Sequence, residues 1–268
     1  MKRKLSRSCP WRQWQRCLRP TALAAVLALL PLLAHAQTDE IQVYDASIAP
    51  QGVFNLTFHS NYTPDGLQTA AFPGGIVPNH SLNGGFEWAY GYKPWLELGL
   101  YLPLYSISTN EDATINGGKI RLLFVSPHAD RRKFFYGMNF EFSLNALHWD
   151  PRRFTSEIRP IVGVHLGRWD LIYNPILDNN FAGGFAALDF APCGRIAYHL
   201  SRKWAAAAEE YDDFGPLNAI RPGGQQFHEV WAVGDYYGKI FDVEFGVGAG
   251  LTAASDPVTL KFMVSRNL

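Results

Sequence analysis

Twelve charged residues recur at alternate positions along otherwise apolar stretches: Glu87, Glu97, Lys119, Arg121, Glu141, Glu157, Arg159, Asp189, Arg195, Asp242, Glu244 and Lys261. Acids and bases are mixed, so the chemistry open to them is mutual pairing or contact with polar and ionic solutes. Charge on the inner face of a membrane structure is tolerable only when it is solvated or paired. Two readings follow with equal weight. One is a polar conduit whose ion pairs set selectivity; the other is a salt-bridged filling that closes the lumen.

Other chemistries have less support. The string Asn79-His80-Ser81 contains the residue types of a hydrolase, but neighbouring residues point to opposite faces of a strand. His165 and His199 have no nearby Ser on the same strand face, and no G-x-S-x-G occurs. His59, His80, His148 and His228 fall near the expected outer strand ends, where solvated rim residues are commoner than metal ligands. No phosphate-cradling glycine loop or dinucleotide fingerprint is present. Gly163, Gly246 and Gly248 read instead as places where the strands make room or bend. The expectation is no catalytic residue, no metal and no cofactor.

The elements that must position the charges are strands. Gly84–Leu104 is a period-2 hairpin, with Phe86, Trp88 and Tyr90 on one face of its first arm. Leu96, Leu98, Leu100, Leu102 and Leu104 line one face of its second arm. Aromatics cluster beside the Tyr92-Lys93-Pro94-Trp95 turn, as they do at a membrane–water boundary. The pattern recurs along the chain. A first strand spans residues 52–59, and strand four sets Ile120, Leu122 and Phe124 against Lys119 and Arg121. Strand five alternates from Phe134 to Asn145, and strand six sets Ile158, Val162 and Val164 against Glu157 and Arg159. Strand seven covers Leu171–Pro175; strand eight carries Cys193 and Arg195, with Pro192 marking a local bulge. Strand nine runs Trp204–Tyr211, strand ten (Gln226–Tyr236) has an ambiguous facing, and strands eleven and twelve alternate cleanly. Tight turns and longer connections alternate, as in bacterial outer-membrane barrels. The fold class is therefore all-β: a transmembrane antiparallel up-and-down β-barrel of about twelve strands. Such closure removes the sheet edges that these apolar strands would otherwise present. The lumen of eight strands is filled and that of sixteen open, so twelve falls between.

Residues 1–36 have the pattern of a cleaved signal peptide: a long basic region, an apolar run from Thr21 to Leu33, and Ala34-His35-Ala36 before the cut. Residues 37–268 then form the barrel, with Gln37–Gln51 as a periplasmic lead-in. The zero formal charge of the whole chain conceals an acidic barrel. Lys2, Arg3, Lys4, Arg7, Arg12, Arg16 and Arg19 leave with the signal, so 17 Lys and Arg face 24 Asp and Glu, a net of −7. That balance argues against nucleic acid as a partner. Cys9 and Cys17 leave as well, so Cys193 has no cysteine to pair with.

Phe86–Pro103, with its WLELGLYLP core, resembles the outer-membrane family named for the meta pathway of phenol degradation. Asp170–Pro175 and Glu210–Gly215 are similar to recurring stretches of the same family. The resemblance implies a barrel associated with the degradation of aromatic compounds and passing hydrophobic substrates; it carries over no catalytic residue. The chain ends at Leu268, where such barrels commonly end in Phe. The leading expectation is an outer-membrane channel or uptake protein for small compounds, aromatic or hydrophobic ones among them. A non-conducting structural barrel acting through its outer loops is the alternative, and a lipid hydrolase the third. Expected partners are outer-membrane lipid, the barrel-assembly machinery and a small-molecule solute.

Overall fold

The structure, a computed structural model, describes residues 40–268 apart from Ala182; the signal-peptide reading of residues 1–36 lies outside them. Fourteen strands follow one another: β1 (Phe54–Asp65), β2 (Leu82–Lys93), β3 (Leu96–Ile107), β4 (Ala113–Val125), β5 (Phe134–Asn145), β6 (Phe154–Leu166) and β7 (Trp169–Asn174). Then come β8 (Leu177–Asn179), β9 (Asp189–Phe190), β10 (Cys193–His199), β11 (Trp204–Asp213), β12 (Phe227–Tyr237), β13 (Asp242–Gly250) and β14 (Val258–Asn267). Every pairing between them is antiparallel, and β14 pairs with β1. The result is a closed barrel of twelve staves, with β8 continuing the stave of β7 and β9 leading into that of β10.

Three prolines explain the two broken staves. The pairs Val162↔Tyr173 and Ile158↔Leu177 keep a single register, which sets Pro160 opposite Pro175. Cys193↔Asn174 and Leu177↔Phe190 likewise share a register, which sets Pro192 opposite Pro175. Proline has no N–H to give to a ladder, so the hydrogen bonding lapses across this row while the alignment persists. The bulge expected at Pro192 is therefore absent: the strand is interrupted without slipping, and Cys193 and Arg195 keep their inward facing.

The outer wall is an apolar belt. Trp88, Leu100, Ile120, Phe142, Ile196, Phe245 and Phe262 are all exposed to between 41% and 54% in a closed barrel, so their only apolar surroundings are lipid. Their strand neighbours Glu87, Arg121, Glu141 and Lys261 are at most 5% exposed. Leu104 departs from the expected pattern. The ladder between β3 and β4 shifts on both sides of Leu104, next to the donor-less Pro103, and the side chain turns inward to 1% exposure. Strand β12 resolves the ambiguous facing: Glu229, Trp231, Val233 and Asp235 are buried, while Val230 and Ala232 are exposed.

Short connections at one end of the barrel (residues 94–95, 167–168, 200–203 and 238–241) share that end with the start of β1 and the end of β14. The connection 126–133, with its short 3-10 turn Ala129–Arg131, is the long one there. At the opposite end the connection 66–81 folds back onto its neighbours. The amide of Ile76 donates to the His148 carbonyl at 3.2 Å, and that of Val77 to Asn110 Oδ1 at 2.9 Å.

Candidate functional site

Strand alternation brings the charged residues into the barrel interior, where they form two ion clusters. In the first, Arg121 Nη2 meets Glu87 Oε1 at 2.5 Å and also contacts Glu97, while His59 Nε2 lies 3.0 Å from Glu87 Oε2. Lys119 Nζ is 3.1 Å from Glu141 Oε2. Arg159 grips Glu157 with two parallel bonds, Nε to Oε1 at 2.6 Å and Nη2 to Oε2 at 3.0 Å. In the second cluster Arg195 contacts Glu209 and Asp235 and lies 3.2 Å from Glu244 Oε2. Lys261 Nζ joins Glu209 at 2.5 Å and Glu244 at 2.6 Å.

Two of the twelve residues chosen from the sequence stand apart from these clusters. Asp189 belongs to the outer end, 3.8 Å from Arg221, which is itself bonded to Asp213 at 2.7 Å. Asp242 is exposed at the short-turn end, where its Oδ1 accepts the amide of Gly238 at 3.0 Å.

The lumen is not filled by wall residues alone. Glu40–Pro50, expected as a periplasmic lead-in, lies inside the barrel without joining the sheet. Its side chains and its main chain are both read by the wall. Glu40 Oε2 is 3.5 Å from Lys119 Nζ. The carbonyls of Ile41 and Gln42 accept from Lys261 Nζ at 3.4 Å and Arg159 Nη1 at 3.1 Å. Asn174 takes the Tyr44 amide on Oδ1 at 2.8 Å and gives Nδ2 to the Tyr44 carbonyl at 3.0 Å. The Ala49 amide donates to Glu97 Oε2 at 2.5 Å.

Tyr44 is the most heavily engaged residue of this segment. Its hydroxyl lies 2.8 Å from that of Tyr101 and donates to Glu141 Oε1 at 3.1 Å. The guanidinium carbons of Arg159 and Arg121 stand 4.3 and 5.3 Å from its ring centre, a cation–π arrangement on a buried aromatic. Apolar contacts complete the fit: Val43, Tyr44 and Ala46 pack with Leu123, Val125, Phe135, Ile161, Ile172 and Cys193, and Ile41 packs with Trp231 and Val233. Gly163 leaves room for the ring of Phe135, and Gly248 for that of Trp231.

His59, His148 and His228 do not converge. His59 is 1% exposed within β1 rather than at its outer end, and His148 and His228 bond separately to Asn116 at 3.3 Å and Asp212 at 2.5 Å. At the short-turn end Asp170 bridges His165 (2.6 Å) and His199 (2.7 Å), with no hydroxyl nucleophile among their bonded partners. Among the described residues no group of three or more His, Cys, Asp or Glu side chains has the arrangement to hold a metal ion. A recess lined by Arg168, His199, Ser201, Arg202 and Tyr237 lies at that same end.

No protein-family model matches the chain, and no curated protein matches it in sequence. Solved structures do. The COG4313 outer membrane channel from Pseudomonas putida F1 aligns with 85% of this chain and 100% of its own, at 13% identity and a TM-score of 0.58. The chain has the fold of an outer-membrane barrel. LpxR from Salmonella typhimurium overlaps less well: 7% identity and TM-score 0.41, over 79% of this chain and 99% of its own. OprD from Pseudomonas aeruginosa does likewise: 8% identity and TM-score 0.34, over 85% of this chain and 98% of its own. The closed sheet and apolar belt place the protein in the cell outer membrane, in contact with its lipid.

Proposed function

We propose that the protein is a passive outer-membrane channel for small solutes, aromatic and hydrophobic compounds among them, whose lumen is closed at rest by Glu40–Pro50. The observation that carries this reading is the nature of the obstruction. A barrel meant to stay shut can be filled by its own wall side chains. Here the space between the two ion clusters is taken by a segment outside the sheet, which can leave without unpairing a strand. The fold shared with a protein described as an outer membrane channel supports the same reading. The aromatic class rests on the resemblance to the phenol-degradation family. In this reading residues 1–36 direct secretion, the assembly machinery inserts residues 37–268, and the end with the short turns faces the periplasm. The ten inward charged residues among those predicted, Glu87 to Lys261 without Asp189 and Asp242, then line the path.

Planar-bilayer recording of the full chain and of a variant lacking residues 40–49 tests the proposal. The expected result is rare or small openings for the full chain and steady conductance for the variant. Silence from both, with the barrel shown to be folded by its heat-modifiable gel migration, favours a non-conducting barrel that acts through its outer loops. The extensive mutual pairing of the luminal charges is the observation on that side.

A further inference from the structure

The two rims of the barrel differ in charge: the short-turn end is basic and the other is mixed. Nearly every connection at the short-turn end presents an exposed cation. Lys93 precedes the first turn; Arg131, Arg132 and Lys133 follow one another in the second connection; Arg168 sits in the third, its guanidinium donating to the carbonyls of His199 at 2.7 Å and Leu200 at 2.5 Å. Arg202 and Lys203 are exposed in the next turn and Lys239 in the last, while Arg266 is exposed near the end of β14. The acids at this end are largely engaged. Asp130 lies 3.2 Å from Arg131, Asp170 is held between two histidines, and Asp242 accepts the Gly238 amide. At the opposite rim Arg152 and Arg153 are exposed in one loop, beside exposed Glu111 and Asp112 in the next. Arg221 there is bonded to Asp213.

The cations also stand in a particular place. Lys93 Nζ is 5.3 Å from the ring centre of Tyr92, Arg168 Cζ is 4.8 Å from that of Tyr198, and Arg266 Cζ is 5.5 Å from that of Phe241. Trp95, Trp169 and Trp204, each 44% to 48% exposed, flank the same turns. Exposed aromatic rings mark the membrane–water boundary, and cations just beyond them reach the level of lipid phosphates. The cations stand in or beside all five connections of this rim and near the end of β14, rather than being gathered in one of them.

We propose that the short-turn rim is a binding surface for anionic phospholipid, its lysines and arginines pairing with the head-group phosphates of the adjacent leaflet. The inference is independent of whether the lumen conducts, and it uses the orientation given above. Each surface cation contributes roughly a fivefold increase in affinity for an anionic leaflet. Arg132, Lys133, Arg202 and Lys203 have exposed side chains that make no hydrogen bond or ion pair among the described residues, so they can be changed without touching the barrel.

The test is native mass spectrometry of the full-length protein in neutral detergent, given equal amounts of phosphatidylglycerol and phosphatidylcholine. The expected result is retention of phosphatidylglycerol over phosphatidylcholine by on the order of tenfold, falling as salt is raised. A variant with Arg132, Lys133, Arg202 and Lys203 all changed to Gln should lose that preference. A variant with Arg152 and Arg153 changed to Gln, at the other rim, should keep it. Equal retention of both lipids by the wild type overturns the proposal, as does an unchanged preference in the fourfold variant. Displacement by an equal excess of inorganic phosphate would reduce the surface to a free-anion site, and stronger retention of lipid A would assign this rim to the outer leaflet. Either result also overturns the proposal.

Discussion

Asn174 holds Tyr44 by both main-chain groups, accepting its amide at 2.8 Å and donating to its carbonyl at 3.0 Å across 130 residues of sequence. An amide side chain is suited to this because it carries a donor and an acceptor side by side. The clamp stands immediately before Pro175, where the ladder to β6 lapses, so a wall position with few hydrogen bonds is the one that fixes the inserted segment. Two net hydrogen bonds of this kind contribute about 1–3 kcal/mol. Asn174→Ala should therefore raise the open fraction in bilayer recordings by roughly fivefold to a hundredfold. Unchanged openings together with unchanged protease resistance of residues 40–50 would show that the clamp does not hold the segment.

Substitutions on the two faces of β3 should fail for different reasons. Leu100 is 41% exposed on the lipid face, and Leu100→Arg there should cost about 2–4 kcal/mol in vesicles. Alternation alone would make Gly99→Arg on the same strand, and Asn139→Arg on β5, tolerated changes, since both positions face inward. The interior is not empty, however. A Cβ at Gly99 would stand 2.8 Å from Arg121 Nε, and Asn139 is 0% exposed with its Nδ2 bonded to Glu141 at 3.0 Å. Both changes should thus destabilise as well. The distinction lies in the bilayer: urea midpoints of the Leu100 variant should fall further in thicker membranes, whereas those of the Gly99 variant should not depend on thickness. A thickness-dependent loss at Gly99 would reverse the facing of this strand.

The barrel was legible because facing repeats every second residue, and Leu96–Leu102 or Phe134–Asn145 leave little freedom of register. What escaped the sequence is instructive about the limits of that signal. Glu209 and Asp235, both partners of Arg195, lie on strands whose alternation is masked. In β11 the masking comes from Ala205–Ala208, the same small residue on both faces. In β12 the inward face carries Trp231 and Val233, so apolar residues occur on both sides. The inserted segment was illegible for another reason. Glu40–Pro50 forms no strand, and its partners Lys119, Arg159, Asn174 and Lys261 are scattered through the chain, so no local period records the contact. Leu104 leaves the lipid face because a ladder shift beside Pro103 breaks the period where the composition does not.

Cys193 offers a probe of the closed lumen. It is 3% exposed, packs with Val43 and Tyr44, and its thiol lies 3.7 Å from Asn174 Oδ1. A small hydrophilic thiol reagent should react slowly with the full chain and much faster once residues 40–49 are deleted. Equal rates, measured by mass shift over time, would mean that the segment does not shield this part of the wall. Reaction with a membrane-soluble maleimide alone would place Cys193 on the lipid side.

The second ion cluster should be sensitive to the loss of a single charge. Lys261 has a side chain 0% exposed between Glu209 and Glu244, and it also reaches the carbonyl of Ile41. Removing one partner from a buried network leaves uncompensated charge and typically costs about 3–5 kcal/mol. Lys261→Met should lose that much stability in urea, and adding Glu209→Gln should recover part of it. A near-neutral single change would indicate that water already solvates these carboxylates.

The outer loops carry a pH-dependent contact. Asp256, in the connection between β13 and β14, accepts the amide of Leu67 on Oδ1 at 2.8 Å and so ties the 66–81 connection to its neighbour. Burial raises its carboxyl above the ordinary 3.8; the Leu67 amide opposes that shift, and the nearby Asp65 adds to it. A carboxyl with a raised value in the folded loop binds its proton more tightly there than in the unfolded chain. Its contribution is therefore greatest below 3.8 and diminishes as the pH rises through the raised folded value. Asp256→Asn keeps an oxygen acceptor for Leu67 and removes the ionisation. The wild-type loop should accordingly show stronger protection of the Leu67 amide at acidic than at neutral pH, after correction for intrinsic exchange, and the Asn variant should show a flat profile. Protection that increases towards neutral pH, or identical profiles for the two proteins, would rule out Asp256 as the group responsible.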